Sequence, residues 1–296
     1  MPSKQEDLQS EIAGIDLSSI KNLKALKKVD PDAIDVVQSA KSKSTRRFNF
    51  AEPELIVLPS HGRLYNTDDE DIRSGHIRLN QMTVKEEEIL TTARFLKSGS
   101  ATRMVFENCI ASDIDAGEIL LFASNYILFK LRQLSYCDSY KFTIKCANSV
   151  CEHEFEHEVV ISQLKFEEMS DDVVEPIVVK LPRSKYIVKL IYPRLRHSED
   201  LFKISNNRKK STSDYDKTRV DNLIVTTLGI VDDKGKPVLP NDFEEFYESI
   251  PGEDRAILTK AAKLDTGIDK LEGVKCPYCE ADYSGTIPVG IDFFRF

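Results

Sequence analysis

The sequence predicts an α+β fold: a mixed helical and β core with a four-cysteine, zinc-ribbon-like hairpin closed by the C-terminal segment. Three observations carry this. Apolar residues recur every three to four positions between about 83 and 134, the helical period, and alternate from Tyr140 onward, the strand period. Four of the 6 cysteines fall into two close pairs, Cys146 with Cys151 and Cys276 with Cys279, far apart in the chain. Apolar residues make up 41% of 296 residues, sufficient for a core, and none of their runs reaches membrane-spanning length.

Residues 1–50 read as an extended N-terminal arm and linker. Leu8, Ile12, Leu17, Ile20, Leu23 and Leu26 are only loosely periodic and 41–47 is polar and basic, so the arm is expected to order against a partner. Residues 51–139 should form an α/β core with three helices. Leu55-Ile56-Val57-Leu58 is a short strand broken by Pro59 and turned through Gly62, and 75–80 alternates as a second strand. Thr83-Val84-Lys85-Glu86 has capping-box spacing, so a helix should start there and run to about 97, where Ser98-Gly99 ends it. A second helix covers 101–110. A third covers about 116–134, with Ile119, Leu120, Ala123, Ile127, Leu131 and Leu134 on one face and Asp113 and Asp115 ahead of its positive end.

Residues 140–197 read as a β-rich segment carrying the first zinc knuckle. Tyr140, Phe142 and Ile144 alternate with Lys141, Thr143 and Lys145, and Phe155, Val159 and Ile161 resume the pattern after Cys151, so the first cysteine pair sits at a hairpin tip. Further strands fall at 176–181 and 186–191. Residues 198–269 form a helical segment: a polar basic loop at 206–211, a helix at about 213–228, a Lys234-Gly235-Lys236-Pro237 turn, and helices at 242–249 and 252–264. Residues 270–296 hold the second zinc knuckle and a C-terminal strand with an aromatic end, Phe293-Phe294-Arg295-Phe296. The sequence shows no internal repeat.

The cysteines carry the most specific chemistry. A Cys-x2-Cys turn delivers two sulfurs to one ion from a single loop, and Cys-x4-Cys is a looser version of it. Together, Cys146, Cys151, Cys276 and Cys279 are expected to ligate one structural Zn2+, a closed site that contributes folding energy and leaves no position for catalysis. Two disulfides, or reduced buried thiols, are the competing readings. Cys109 and Cys137 lie among apolar residues and are expected in the core. The polar start of the chain carries no secretory signal, which points to a reducing cytoplasm and favours metal over disulfide.

Two other functions compete. His153-Glu154-Phe155-Glu156-His157 matches the H-E-x-x-H zinc-peptidase motif, with Glu154 as general base and Glu167, Glu168 or Glu175 as a third ligand. That chemistry needs a helix to bring the histidines together, whereas the local period is two, placing His153, Phe155 and His157 on one strand face and Glu154 on the other. A zinc-ribbon nucleic-acid-binding regulator is the second alternative, from the basic clusters at Arg46-Arg47, 194–197 and 208–210. The net charge of −8 and the lack of aromatic interleaving weigh against it.

Leu58-Pro59-Ser60 with Gly62 and Tyr65 is followed by the capped acidic helix at 83–88. Leu131-Arg132, Ser135-Tyr136 and Tyr140 then lead into Cys146 and Cys151, and Cys276-Pro277-Tyr278-Cys279 with Phe293-Phe294 comes last. In this order the sequence resembles the baseplate hub and hub-assembly proteins of T-even-type contractile-tailed bacteriophages, over roughly 55–165 and 270–296. The resemblance implies a non-enzymatic virion-assembly role in the host cytoplasm or the tail baseplate, with spike, tape-measure or other baseplate proteins as partners. The Cys-x4-Cys loop, the arm and the 198–270 region depart from the family pattern. They leave both a permanent virion subunit and a departing assembly factor open.

Overall fold

A computed structural model describes residues 51–208, 217–264 and 271–294. The expected N-terminal arm, its Arg46-Arg47 cluster, most of the basic loop and the start of the helix expected from Ser213 lie outside the described residues. The described elements are mixed α and β, with small antiparallel sheets rather than one large one.

Strand β1 (Glu54–Val57) pairs antiparallel with β2 (His76–Leu79), burying Ile56, Ile77 and Leu79. The turn after β1 requires Gly62: at φ +75° a Cβ would stand 1.8 Å from the Ile72 carbonyl oxygen. The short helix α1 (Glu70–Arg73) starts at Asp69, whose carboxylate accepts from the Ile72 amide at 3.1 Å. Arg63 donates to the carbonyls of Met169 and Ser170 at 2.6 and 2.9 Å, fastening this turn to a distant loop.

The capping box forms at α2 (Val84–Thr91). The buried Glu86 carboxylate accepts from the Thr83 amide at 2.7 Å and from its hydroxyl at 2.6 Å. The helix expected from there to about 97 is two helices. Thr92 turns extended, ψ 109°, and its hydroxyl donates to the Glu88 carbonyl at 2.7 Å, a local bond that competes with the helix ladder. Helix α3 (Ala93–Ser98) then ends on left-handed Gly99, and α4 (Ala101–Cys109) follows.

The third expected helix also breaks. A 3-10 turn at Ala116–Glu118 gives way to extended Ile119 and Leu120 before α5 (Leu121–Ser135) begins. The cause is tertiary. Leu121 donates to the Pro193 carbonyl at 2.8 Å, and Leu195 donates to the Ile119 carbonyl at 3.0 Å. This bridge between distant segments buries Ile119 and Leu120 completely.

Strands β3 (Ser139–Lys145) and β4 (Glu154–Val160) form the expected hairpin, with Phe142 opposite His157 and Ile144 opposite Phe155. Beyond it, β5 (Ile177–Lys180), β6 (Ile187–Leu190) and β7 (Thr227–Val231) make an antiparallel sheet in the order 5-6-7. Helices α6 (Leu195–Arg208), α7 (Thr218–Thr226), α8 (Phe243–Ser249) and α9 (Gly252–Ala261) complete this part. The expected 213–228 helix ends early because 227–231 joins β6, and α6 occupies residues read from sequence as a basic cluster and the start of a polar loop. Finally β8 (Leu271–Lys275) and β9 (Asp282–Gly285) pair, and a 3-10 turn at Ile291–Phe294 follows.

Two main cores result. The first gathers β1 to β4, α2, α4 and α5, and also Leu271, Val274, Ile287, Phe293 and Phe294 from the far end of the chain. The second gathers β5 to β7 with α7, α8 and α9. Of the two cysteines outside the close pairs, Cys109 is buried as expected, whereas Cys137 is exposed beyond the end of α5. No described helix is long and apolar enough to cross a membrane.

Candidate metal centre

The hairpin β3–β4 carries Cys146 and Cys151 at its tip, and the hairpin β8–β9 carries Cys276 and Cys279 at its own. The fold brings the two tips together. All four sulfurs lie within 4.8 Å of one another, with Cys146 and Cys279 at 3.5 Å and Cys151 and Cys276 at 3.9 Å. A tetrahedral ion with zinc–sulfur bonds of about 2.3 Å sets its sulfurs about 3.8 Å apart, so the cage fits one such ion. These separations far exceed the bond length of a disulfide, about 2.05 Å, and all four cysteines are free.

The two tips are built alike. Ile144-Lys145-Cys146 and Cys151-Glu152-His153-Glu154-Phe155 match Val274-Lys275-Cys276 and Cys279-Glu280-Ala281-Asp282-Tyr283. In the first, Ile144 faces Phe155 and Lys145 faces Glu154; in the second, Val274 faces Tyr283 and Lys275 faces Asp282. Each loop closes with the amide of its first cysteine, Cys146 to the His153 carbonyl at 2.9 Å and Cys276 to the Ala281 carbonyl at 3.0 Å. Each also places the glutamate after its second cysteine at positive φ, 48° at Glu152 and 57° at Glu280. The structure therefore contains an internal repeat that the sequence reading did not find. The longer first loop absorbs its two extra residues in a turn on Asn148, whose carbonyl accepts from the amides of Cys151 and Glu152, both at 3.0 Å.

Backbone amides point at the sulfurs, as a thiolate site requires. The Asn148 amide reaches Cys146 at 3.4 Å. Burial opposes ionisation of Cys276, but the amides of Tyr278 and Cys279 and the neighbouring thiols bring it down to about 7. At Cys146 the Asn148 amide favours the thiolate, yet burial and hydrogen bonds with the other three sulfurs push the thiol up to about 12. Four crowded sulfurs cannot all ionise by themselves, and a dication removes that conflict. The His153 ring accompanies the site without joining it. It stacks on Tyr278, centroids 4.3 Å apart, and its Nδ1 lies 2.9 Å from the Cys151 carbonyl, linking one tip to the other.

The peptidase arrangement does not form. Glu154 to Val160 is a strand, so its carboxylates at 154, 156 and 158 are exposed while Phe155 and His157 turn inward, His157 onto the Phe142 ring. Glu154 therefore stands on the opposite face from the histidines. Of the suggested third ligands, Glu168 meets His61 at 3.1 Å and Glu175 grips Arg194.

The 194–197 cluster is a buried joint rather than a nucleic-acid patch. Arg194 pairs with Glu175 at 2.7 Å and Glu118 at 3.2 Å and donates to the Leu64 carbonyl at 2.9 Å; Arg196 also pairs with Glu118. His197 caps α6 by accepting from the Arg194 amide at 3.1 Å, and burial, helped by Arg196, pulls its pKa down to about 4. The side chains of the other two basic clusters lie outside those described.

Arg132, which sequence placed only within the family pattern, also holds the C-terminal segment. Arg132 is buried and donates to the carbonyls of Phe293 and Ser139, and its guanidinium lies 4.9 Å from the Tyr140 ring and 5.2 Å from the Phe293 ring. Its sequence position, next to Leu131 on the apolar face, is the local signal for that burial.

A family model described as T4 bacteriophage base plate protein matches residues 58–295, from the turn after β1 through both cysteine pairs to the aromatic end. No curated protein and no solved structure matches the chain.

Proposed function

Since the chain belongs to the T4 bacteriophage base plate protein family, we propose that it is a structural or assembly component of the tail baseplate hub, stabilised by one zinc ion on Cys146, Cys151, Cys276 and Cys279. The observation that carries the metal assignment is the closed cage of four sulfurs inside the matched region. Four protein donors leave a tetrahedral ion no open position, so the ion would supply stability and no chemistry. When bound it neutralises thiolate charge; the chain's own amides and the His153–Tyr278 stack orient the two tips.

The partners we infer are other baseplate, spike or tape-measure proteins, met in the host cytoplasm during assembly. Affinity purification of the tagged chain from infected cells, with mass spectrometry of the eluate, tests the hub assignment. Co-purifying spike or tape-measure proteins support it. Recovery with peripheral baseplate proteins alone moves the chain away from the hub, and recovery with polymerase subunits or nucleic acid replaces the structural reading.

A further inference from the structure

Residues 271–294 pack against the first core through side chains. Among the described residues, β8 pairs only with β9, and no backbone–backbone hydrogen bond joins this segment to the rest. Besides Leu271 and Val274, which are buried in the first core, two anchors hold it. At one end Cys276 and Cys279 face Cys146 and Cys151, and Tyr278 stacks on His153. At the other end Phe293 is fully buried, its ring 4.7 Å from Phe129 and 4.8 Å from Tyr140, with its carbonyl held by Arg132. Between them Tyr140 donates to the Pro288 carbonyl at 3.2 Å, and Ile287 is buried against the first core. The second core contains nothing from this segment.

We propose that 271–294 is a metal-operated strap: a loaded four-sulfur site holds it closed over an aromatic groove formed by Phe129, Arg132 and Tyr140, and loss of the metal releases it while the second core stays folded. This rests on the reading that a metal sits on the four sulfurs. Two anchors on one short segment raise each other's effective concentration, so coupled anchors hold about 10²–10⁴-fold better than either alone. Without an ion, that end falls back on weak thiol hydrogen bonds, one exposed ring stack and the packing of Leu271 and Val274. The strap has no sheet ladder to replace it. Release uncovers a groove that already carries a cation among aromatic rings.

The test is hydrogen–deuterium exchange on the full chain, zinc-loaded and after chelation, with zinc counted by native mass spectrometry in the same samples. Chelation should remove one ion and speed exchange across 271–294 by about a hundredfold, the low end of that coupling, leaving 179–262 unchanged. A zinc-loaded Phe293→Ala protein should keep its ion yet exchange faster across 286–294. The strap is refuted if the ion leaves and 271–294 stays protected, if 179–262 loses protection at the same time, or if Phe293→Ala also sheds the ion. If no ion is counted in reconstituted wild-type protein, the four-sulfur reading fails first and the strap with it.

Discussion

At the proposed zinc site, replacing Cys276 by serine removes one of four sulfur donors and opens one of the long loops the site would close. Cys151 and Cys276 are 125 positions apart. In the chain-entropy description of a cross-link, closing a loop of that length restricts the unfolded chain by about 5 kcal/mol. The ion makes that link only while all four sulfurs hold it, so losing one donor loses most of the effect. Urea unfolding followed on the first core should show Cys276→Ser less stable than zinc-loaded wild type by about 3–5 kcal/mol. Wild type treated with chelator should fall to the same value, and chelator should not lower the mutant further. Cys137→Ser is the control: Cys137 is exposed and outside the cage, so its change should stay within about 0.5 kcal/mol. A zinc-loaded wild type that Cys276→Ser matches to within about 1 kcal/mol would refute the cross-link argument.

Three further outcomes follow from local geometry. Gly62→Ala should destabilise by more than about 3 kcal/mol or fail to fold, because it adds a clash with the Ile72 carbonyl to backbone strain, whereas Gly235→Ala at φ +80° with open space around it should cost only about 1 kcal/mol in thermal unfolding. His197 is held neutral, so its contribution is complete above the ordinary value of 6.5 and is lost as pH falls toward about 4; wild type should lose about 2–3 kcal/mol across that window, and His197→Asn, which retains an acceptor for the Arg194 amide, should flatten the profile. Burial works against ionisation of Asp254, yet the Arg183 and Ser184 amides at 3.0 and 2.8 Å hold its carboxyl below the ordinary value of 3.8. Its contribution is therefore complete above that value and lost as pH falls below it; Asp254→Asn should cost about 2 kcal/mol at pH 7 and blunt the acid limb of a urea titration.

Much of this architecture is written in local pattern. Tyr140, Phe142 and Ile144 against Phe155 and Val159 define one buried face, and period two makes the hairpin and its cysteine tip legible without coordinates. Thr83 and Glu86 mark a helix start because a capping box needs only four consecutive residues. The same period argued against a helix at His153 to His157, and that stretch leads into a strand. Local signals decided these elements because the groups that satisfy one another lie within a few positions.

Tertiary contacts decided the rest. Ile119 and Leu120 have helical spacing, but their backbone pairs with 193–195, and bonds to a distant segment outweigh a weak local preference. The helix read to about 228 stops at Thr226, and 227–231 complete a sheet edge with β6. Arg194 and Arg196 read as a solvated basic cluster, because nothing nearby in sequence announces Glu118 and Glu175 as their partners. The sequence by itself determined that two cysteine pairs sit in tight loops. Only the tertiary structure determined that the loops are repeats of one hairpin, that Cys146 meets Cys279 and Cys151 meets Cys276, and that Phe293 seals the first core beneath Arg132. The physical reason is that spacing encodes which side of an element is buried, whereas which buried sides meet is set by the packing of the whole chain.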